Sequence, residues 1–507
     1  MADTLVTALA RQCAERLDAP FLIHPDGETL TYREIAPATA RLVNLFRALG
    51  VRPGDRIAIQ AEKSVQALFV YLAALRMGAI FLPLNPAYTA SEVGYFLKDA
   101  EPALLLCDPA NDDAMRRLCD ETRIAHLLTL DAEGNGSLAA AAADQPDQCE
   151  DVVCASDDLA AILYTSGTTG RSKGAMLTHD NLFSNAETLR DYWRFTSSDR
   201  LLHALPIYHA HGLFVAINVT LVAGSSMIWL PRLDTRELVR LMPQASVLMG
   251  VPTFYTRLLA EPAFTREVAA GMRLFISGSA PLSAETHKEF QARTGHFILE
   301  RYGMTETVMI TSNPYDGDRV PGGVGFPLPG VSVRIADAEM GKVLQGEVGV
   351  IEVSGRNVFK GYWRMPEKTA EEFRPDGYFI TGDLGRIDEA GYVHIVGRAK
   401  DLIISGGLNV YPAEVEAVLD AIPGVAESAV IGIAHPDFGE GVVAVIQSRD
   451  PGLDETKVIA STAEQLARFK QPKRVIFVPE LPRNAMGKVQ KKLLREQYSD
   501  LFAPVAG

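Results

Sequence analysis

The sequence predicts an α/β protein: a large N-terminal body of parallel α/β subdomains with a β-rich subdomain, followed by a small α+β lid. Three observations predict it. Apolar, strand-like runs alternate with helical stretches through the first half of the chain, the pattern of a parallel sheet. Between Val331 and Gly355 the texture changes to short alternating strands, VSVRIAD and GVIEVSG, separated by glycine turns. At Gly397 to Asp401 the polar junction GRAKD precedes a separate strand–helix–strand pattern. At 507 residues the chain exceeds what one hydrophobic core holds, and the expected boundaries are 1–398 for the body and 399–507 for the lid.

In chain order, TYREIAPATARLVNLFRALG from Thr31 reads as an amphipathic helix ending at Gly50. A turn around Pro53 and Gly54 leads to a strand at Ile57 to Gln60. A helix near Val65 to Met77, the strand AIFLPL, a further helix and the strand ALLLCD repeat the scheme. Asp131 to Asp157, rich in Ala, Asp, Gln and Gly, reads as a surface connection. DLAAIL then reads as a buried strand, NLFSNAETLRDYWRF as a helix, and LLHALPIYHAHGLF as strand, turn and helix. Strands follow at Met227 to Leu230, Ser246 to Met249, Leu274 to Ser277 and HFILE. The lid reads from LIISGGLNVYPAEVEAVLD, SAVIGIAHPD and VVAVIQS.

Composition excludes some classes. With 47% hydrophobic and 22% charged residues the chain is ordinary for a globular protein. Its formal charge of -14 argues against nucleic acid as a partner, because a grip on phosphates needs a basic face. An anionic ligand must find local positive charge. The five cysteines are scattered, with no CxxC and no histidine at metal spacing, so reduced thiols, no metal cage and a cytoplasmic location are expected. The N-terminal stretch resembles neither a secretory signal nor a transit peptide. Ala67 to Leu84 is apolar, but Arg76, Gly78 and Pro83 make it a buried helix running into a strand, so no membrane partner is expected.

YTSGTTGRSKG, Tyr164 to Gly174, follows the DLAAIL strand. It gathers three glycines, five hydroxyl side chains (Thr165, Ser166, Thr168, Thr169, Ser172) and two cations (Arg171, Lys173). Glycine permits close backbone approach, amides and hydroxyls donate hydrogen bonds, and the cations offset charge, so the loop suits a polyphosphate. It is not a Walker loop, which would place Gly at Ser172 and a hydroxyl residue at Gly174.

YTSGTTGRSKG, ERYGMTE, GYFITGDLG, GRAKDLIISGGLNVYPAEVE and PRNAMGKVQK, in this order, together resemble the adenylate-forming acyl-CoA synthetases. That resemblance implies ATP, Mg²⁺ and coenzyme A. A carboxylic acid becomes an acyl-adenylate with release of pyrophosphate, and the acyl group then passes to the thiol of coenzyme A. A carboxylate is a poor electrophile, and attaching AMP supplies a leaving group. Positioned cations are then the main catalytic requirement.

The resemblance assigns ATP binding to Thr165, Ser166, Gly167, Thr168, Thr169, Gly170 and Lys173, to Ser279 and Ala280 of SGSAPL, and to Glu300, Tyr302, Gly303, Met304 and Thr305. It places Thr305 at the α-phosphate, Glu306 at Mg²⁺, and Asp383 with Arg398 at the ribose. Lys400 falls at the hinge between body and lid, and Lys488 at the bridge between carboxylate and α-phosphate. Ser405, Gly406 and Gly407 fall in the loop that admits the pantetheine arm. Standing alone, Glu306 would read as a helix N-terminal acid, and Asp383 and Arg398 as surface charges. Acylation of Lys488 by a lysine acyltransferase would remove its charge.

For the acid, Arg301 directly precedes YGMTE beside the expected acyl pocket. A desolvated arginine there suits a second substrate carboxylate, the alternative being a salt bridge to Glu300 or another protein carboxylate. His209, Ser277 and His211 fall near the same pocket. VLMGVPTFYTRLL, ERYGMTET, TSNPYDGDRVPG and NVFKGYWRMPEKT are similar to the bacterial malonyl-CoA synthetases within the family. That group carries threonine between the two histidines, where this chain has Ala210, so methylmalonate or another short acid is an alternative substrate. Further alternatives are a carrier-dependent adenylation protein and a non-enzymatic acyl or nucleotide sensor. The set Thr305, Glu306, Asp383, Arg398 and Lys488 argues against the last.

Overall fold

The computed structural model describes residues 4–165, 172–337, 341–344, 346–406, 408–463, 465–484 and 487–502. Two sheets with parallel centres build the body. In the first, Pro20–Ile23, Ser226–Trp229, Arg200–His203, Val247–Gly250, Leu274–Ser277 and Ile298–Tyr302 lie side by side in parallel, and antiparallel strands close both ends. In the second, His126–Thr129, Leu104–Cys107, Arg56–Gln60, Ile80–Pro83 and Leu159–Thr165 are parallel, and Lys173–Thr178 returns antiparallel beside the last. The predicted alternation is borne out, with one addition. The glycine-rich stretch lies between two hairpin partners, so Lys173 opens a strand.

Apolar runs without period-2 alternation form these strands because both sheet faces are covered. The helix Val65–Arg76 is buried from Ala67 to Arg76, and one core cluster contains residues of both sheets. Its single charge, Arg76, is satisfied by Asp151 at 2.6 Å, the Thr39 hydroxyl at 2.6 Å and the Ala36 carbonyl at 2.9 Å. The stretch expected as a bare surface connection instead contains the helix Ser137–Ala143, with Leu138 and Ala142 buried in that core.

Val331–Ala336, Gly349–Gly355, Phe379–Ile387 and Val393–Arg398 form a four-stranded antiparallel sheet, the β-rich subdomain. Ile403–Ser405, Leu408–Val410, Val425–His435, Gly439–Ser448 and Arg474–Val478 form the last sheet, whose two core clusters draw on residues after Leu402. Among the described residues no helix is long and apolar enough to cross a membrane.

In the first sheet the chain leaves the C-terminal ends of the parallel strands at His203, Gly250, Ser277 and Tyr302. That edge is where open parallel sheets bind ligands, and the candidate residues gather there.

Candidate active site

On the acid side, four polar groups are buried without hydrogen-bond partners among the described residues. Arg301 is 3% exposed, and its Nε and Nη2 have no hydrogen-bond partner. Ser277 Oγ, His209 Nε2 and His211 Nε2 are likewise buried and unpartnered. Ser277 ends the strand beside that of Arg301, and the guanidinium lies flat on Gly278, where a Cβ would come within 2.3 Å of Cζ. Ser279 adopts a left-handed φ of 72°, a conformation that costs a residue with a side chain about 1 kcal/mol or more. That turn brings its hydroxyl to 3.4 Å from His211 Nδ1. The Glu300 alternative for Arg301 fails, because the Glu300 carboxylate accepts from the Gly322 amide at 3.0 Å and lies 3.6 Å from His287.

Burial dictates the charge states. It pushes Arg301 down to about 9, still a cation at neutral pH, and His209 down to about 4. His211 falls well below its usual range through burial, reinforced by the Arg301 charge. These groups are therefore one cation and two neutral imidazoles.

On the nucleotide side, Thr165 ends its strand with Oγ1 3.4 Å from Glu306 Oε1. Glu306 lies in a non-helical turn, which removes the helix-terminus reading, and it is buried, which raises its pKa. The Tyr362 hydroxyl lies 3.1 Å from Glu306 Oε1 and 2.6 Å from Glu372 Oε2. Lys173 donates to Glu372 at 2.7 Å and stands 3.9 Å over the Tyr362 ring. It is thus committed to this network, not free to reach a phosphate as it stands. Gly303 allows a sharp turn, since a Cβ there would meet the Val308 carbonyl at 1.9 Å, and Met304 and Thr305 follow half-buried.

Tyr302 donates to Asp383 Oδ2 at 2.5 Å, and Arg398 holds Asp383 Oδ1 at 2.9 Å. Lys488 faces these groups: Arg398, Asp383, Lys400 and Asp401 all act on its charge. It is exposed, yet enough of the cleft walls surround its ammonium that burial, then Arg398, bring its pKa down to about 8. Lys400, in the turn Ala399–Asp401, is lowered by burial and Arg398.

The structure brings together Thr165, Glu306, Tyr302, Asp383, Arg398 and Lys488 on one side and Ser277, Ser279, His211 and Arg301 on the other. Glu300 belongs to neither group, being turned to Gly322 and His287. Ala280 continues the Ser279 turn, half-buried. Ser405 and Gly406 sit on the last sheet, against Gly439 and Phe438, with no described contact to either group. Ser166, Gly167, Thr168, Thr169, Gly170 and Gly407 lie outside the described residues.

Two supports escaped the sequence reading. The Lys63 ammonium is 2.7 Å from His203 Nδ1, 2.9 Å from the His203 carbonyl and 4.1 Å over the Trp229 ring. His203 Nε2 is 2.9 Å from the Gly212 carbonyl. A carbonyl only accepts, so Nε2 carries the proton and Nδ1 receives Lys63. This pair anchors the turn bearing His209 and His211, which opens as the wide π-helical turn His211–Ile217. The second support is the Glu372–Tyr362 link beneath Glu306. Only spacing across folded strands joins these partners, and no local motif announces them.

Two family models match: the AMP-binding enzyme over residues 9–363, and its C-terminal domain over 414–488. The chain belongs to the AMP-binding enzyme family and is an AMP-forming acyl-CoA ligase. Among solved structures it is similar to ATP-bound MatB from Rhodopseudomonas palustris, with 58% identity, TM-score 0.95, and coverage of 98% of this chain and 99% of that one. For apo MatB from the same organism, at the same identity and coverage, the TM-score is 0.84. Among characterised relatives, malonate–CoA ligase from Arabidopsis thaliana is 35% identical over 94% of this chain and 86% of its own length. Feruloyl-CoA synthase from an Amycolatopsis species is 37% identical over 93% and 94%.

Proposed function

We propose that the protein is a malonate–CoA ligase, converting malonate, ATP and coenzyme A to malonyl-CoA, AMP and pyrophosphate through malonyl-adenylate. The observation that carries this reading is Arg301: a buried guanidinium with two unpartnered nitrogens, near the unpartnered Ser277 Oγ and His211 Nε2. Leaving such donors unpaired costs about 1–3 kcal/mol each. The far carboxylate of a short diacid would pair with them, in two parallel hydrogen bonds at the guanidinium. A feruloyl or fatty acyl chain offers nothing to them. The similarity to the Arabidopsis malonate–CoA ligase supports the same reading.

In this reading the near carboxylate attacks the α-phosphate of ATP, and Lys488 stabilises the charge shared between the two. Thr305 positions the α-phosphate, and Asp383, oriented by Tyr302 and Arg398, accepts from the ribose hydroxyls. His209, kept neutral by burial, lines the acyl path. Glu306 suits Mg²⁺, being a buried oxygen donor that meets the hydroxyls of Tyr362 and Thr165. Held by Glu306, the ion would offset phosphate charge. Lys400 is the hinge about which residues 399–507 turn to exchange Lys488 for the Ser405–Gly407 loop and coenzyme A. The second reading, methylmalonate, is favoured by Ala210, whose small half-buried side chain neighbours both histidines.

Pyrophosphate release with malonate, methylmalonate, succinate, acetate, octanoate and coumarate, with and without coenzyme A, tests this. Malonate or methylmalonate should lead and product should require coenzyme A. A monocarboxylate leading would return Arg301 to a structural role.

A further inference from the structure

The turn that carries Thr305 and Glu306 is held in a conformation its own sequence disfavours. It leaves the sheet at Tyr302 and returns where the Ile310 amide donates to the Tyr302 carbonyl at 2.9 Å. Within it Val308 is buried and takes a left-handed φ of 52°, the one β-branched side chain among the described residues to do so. Two branches on Cβ make that region unfavourable for valine, so contacts from outside the turn must impose it.

Three buried asparagines supply the constraint. Asn357 Nδ2 donates to the carbonyls of Thr307 and Met309, at 2.8 and 3.0 Å, and so grips the chain on both sides of Val308. Asn185 Nδ2 adds a second donor to the Met309 carbonyl at 3.0 Å. Asn357 is itself gripped in the same way, because Asn181 Nδ2 donates to the carbonyls of Arg356 and Val358 at 2.8 and 2.9 Å. One residue further on, the Phe359 amide donates to the Glu306 carbonyl at 2.8 Å. Asn181 and Asn185 lie four positions apart on the helix His179–Tyr192, hence on one face. That helix directly follows the strand Lys173–Thr178.

Packing does not explain asparagine at 185 and 357. The Oδ1 atoms of both are buried without hydrogen-bond partners among the described residues. A leucine of similar shape would fill either place with no unpaired oxygen, so each asparagine is there for its donors.

We propose that Asn357, seated by Asn181 and assisted by Asn185, is a positioning residue for the nucleotide: it holds Val308 left-handed and thereby fixes where Thr305 and Glu306 stand. Released from these donors, Val308 relaxes to a negative φ, and Thr305 and Glu306 move with it. The assignment rests on the reading of Thr305 and Glu306 as the groups that meet ATP and Mg²⁺, and not on the choice of malonate.

The test compares wild type, Asn357→Ala, Asn185→Ala and Asn357→Ala/Val308→Gly. Calorimetry follows binding of the α,β-methylene analogue of ATP with Mg²⁺. Pyrophosphate release, with whichever acid supports it, gives KM for ATP and for the acid. Asn357→Ala should weaken analogue binding and raise KM for ATP about tenfold, the scale of a lost buried donor, with KM for the acid within about threefold of wild type. Asn185→Ala leaves the Met309 carbonyl its bond to Asn357 and should shift both nucleotide constants the same way by less. Adding Val308→Gly to Asn357→Ala should restore most of the nucleotide affinity, because glycine takes the left-handed conformation without the steric penalty. The unfolding temperature should not recover with it, since a buried valine side chain is lost. Should Asn357→Ala fail to fold, Asn185→Ala with and without Val308→Gly carries the same comparison. Equal rises in KM for ATP and acid, affinity not rescued by Val308→Gly, or wild-type affinity in Asn357→Ala would overturn the assignment. Wild type that binds the analogue yet releases pyrophosphate with no acid would bear on the function proposed above, and the calorimetric arm would still decide this one.

Discussion

Replacing Arg301 with methionine separates a substrate-binding cation from a structural one. The side chain is 3% exposed, with Nε and Nη2 unpaired, so the free enzyme bears the cost of a buried charge that nothing in the chain offsets. Methionine roughly preserves the volume and removes that charge. The free enzyme should gain about 1–4 kcal/mol of stability, the range seen when buried ionic groups give way to apolar ones. With malonate the sign reverses. Truncating one partner of a buried, hydrogen-bonded charge pair costs about 2–5 kcal/mol. At about 1.4 kcal/mol per factor of ten, kcat/KM for malonate should fall between about 30-fold and a few thousandfold. Propionate, with no second carboxylate, should hold its rate or improve. The assays are thermal unfolding with and without malonate and initial rates on both acids. A variant less stable than wild type, or one retaining malonate kcat/KM within about threefold, would refute the reasoning.

Lys488→Ala should lose about 100- to 1,000-fold in adenylation, the scale of one transition-state charge contact, but far less in thioester formation from supplied malonyl-adenylate; equal loss in both half-reactions would remove Lys488 from its role. Because burial and Arg398 depress its pKa to about 8, the ammonium is fully present below that pH and is lost above it. Adenylation kcat/KM should therefore be level to about pH 8 and then decline, and Lys488→Arg, whose charge persists, should abolish the decline; a decline unchanged in that variant would assign it elsewhere. Lys63→Met should leave the His203 ring unanchored and raise KM for the acid about tenfold or more with KM for ATP unchanged; equal rises in both would show a general loss of structure instead.

Much of the fold was legible because both body sheets are covered on two faces. Buried parallel strands need unbroken apolar runs, and LAAIL, LLLC and LFIS announce themselves as such. The strand opened by Lys173 was missed, since its short sequence KGAMLT merges with the loop before it. The helix Ser137–Ala143 was missed because an alanine run among Asp and Gln carries little amphipathic contrast. In the candidate site, glycine-rich and acidic motifs located Glu306, Asp383 and Lys488, whose neighbours in sequence carry recognisable chemistry. Lys63, Tyr362 and Glu372 lay hidden, because each acts on a residue more than 50 positions away or belongs to an ordinary-looking charged helix. Arg301 was visible as an oddity, but its lack of a partner is a property of the folded pocket.

The most direct measurement is a crystal structure of the protein with a non-hydrolysable malonyl-adenylate analogue. The account predicts the free carboxylate of the malonyl group within hydrogen-bond reach of Arg301 Nε or Nη2, with Ser277 or His211 as a further donor, and the α-phosphate beside Lys488. A carboxylate turned to solvent, with Arg301 still unpaired, would contradict it.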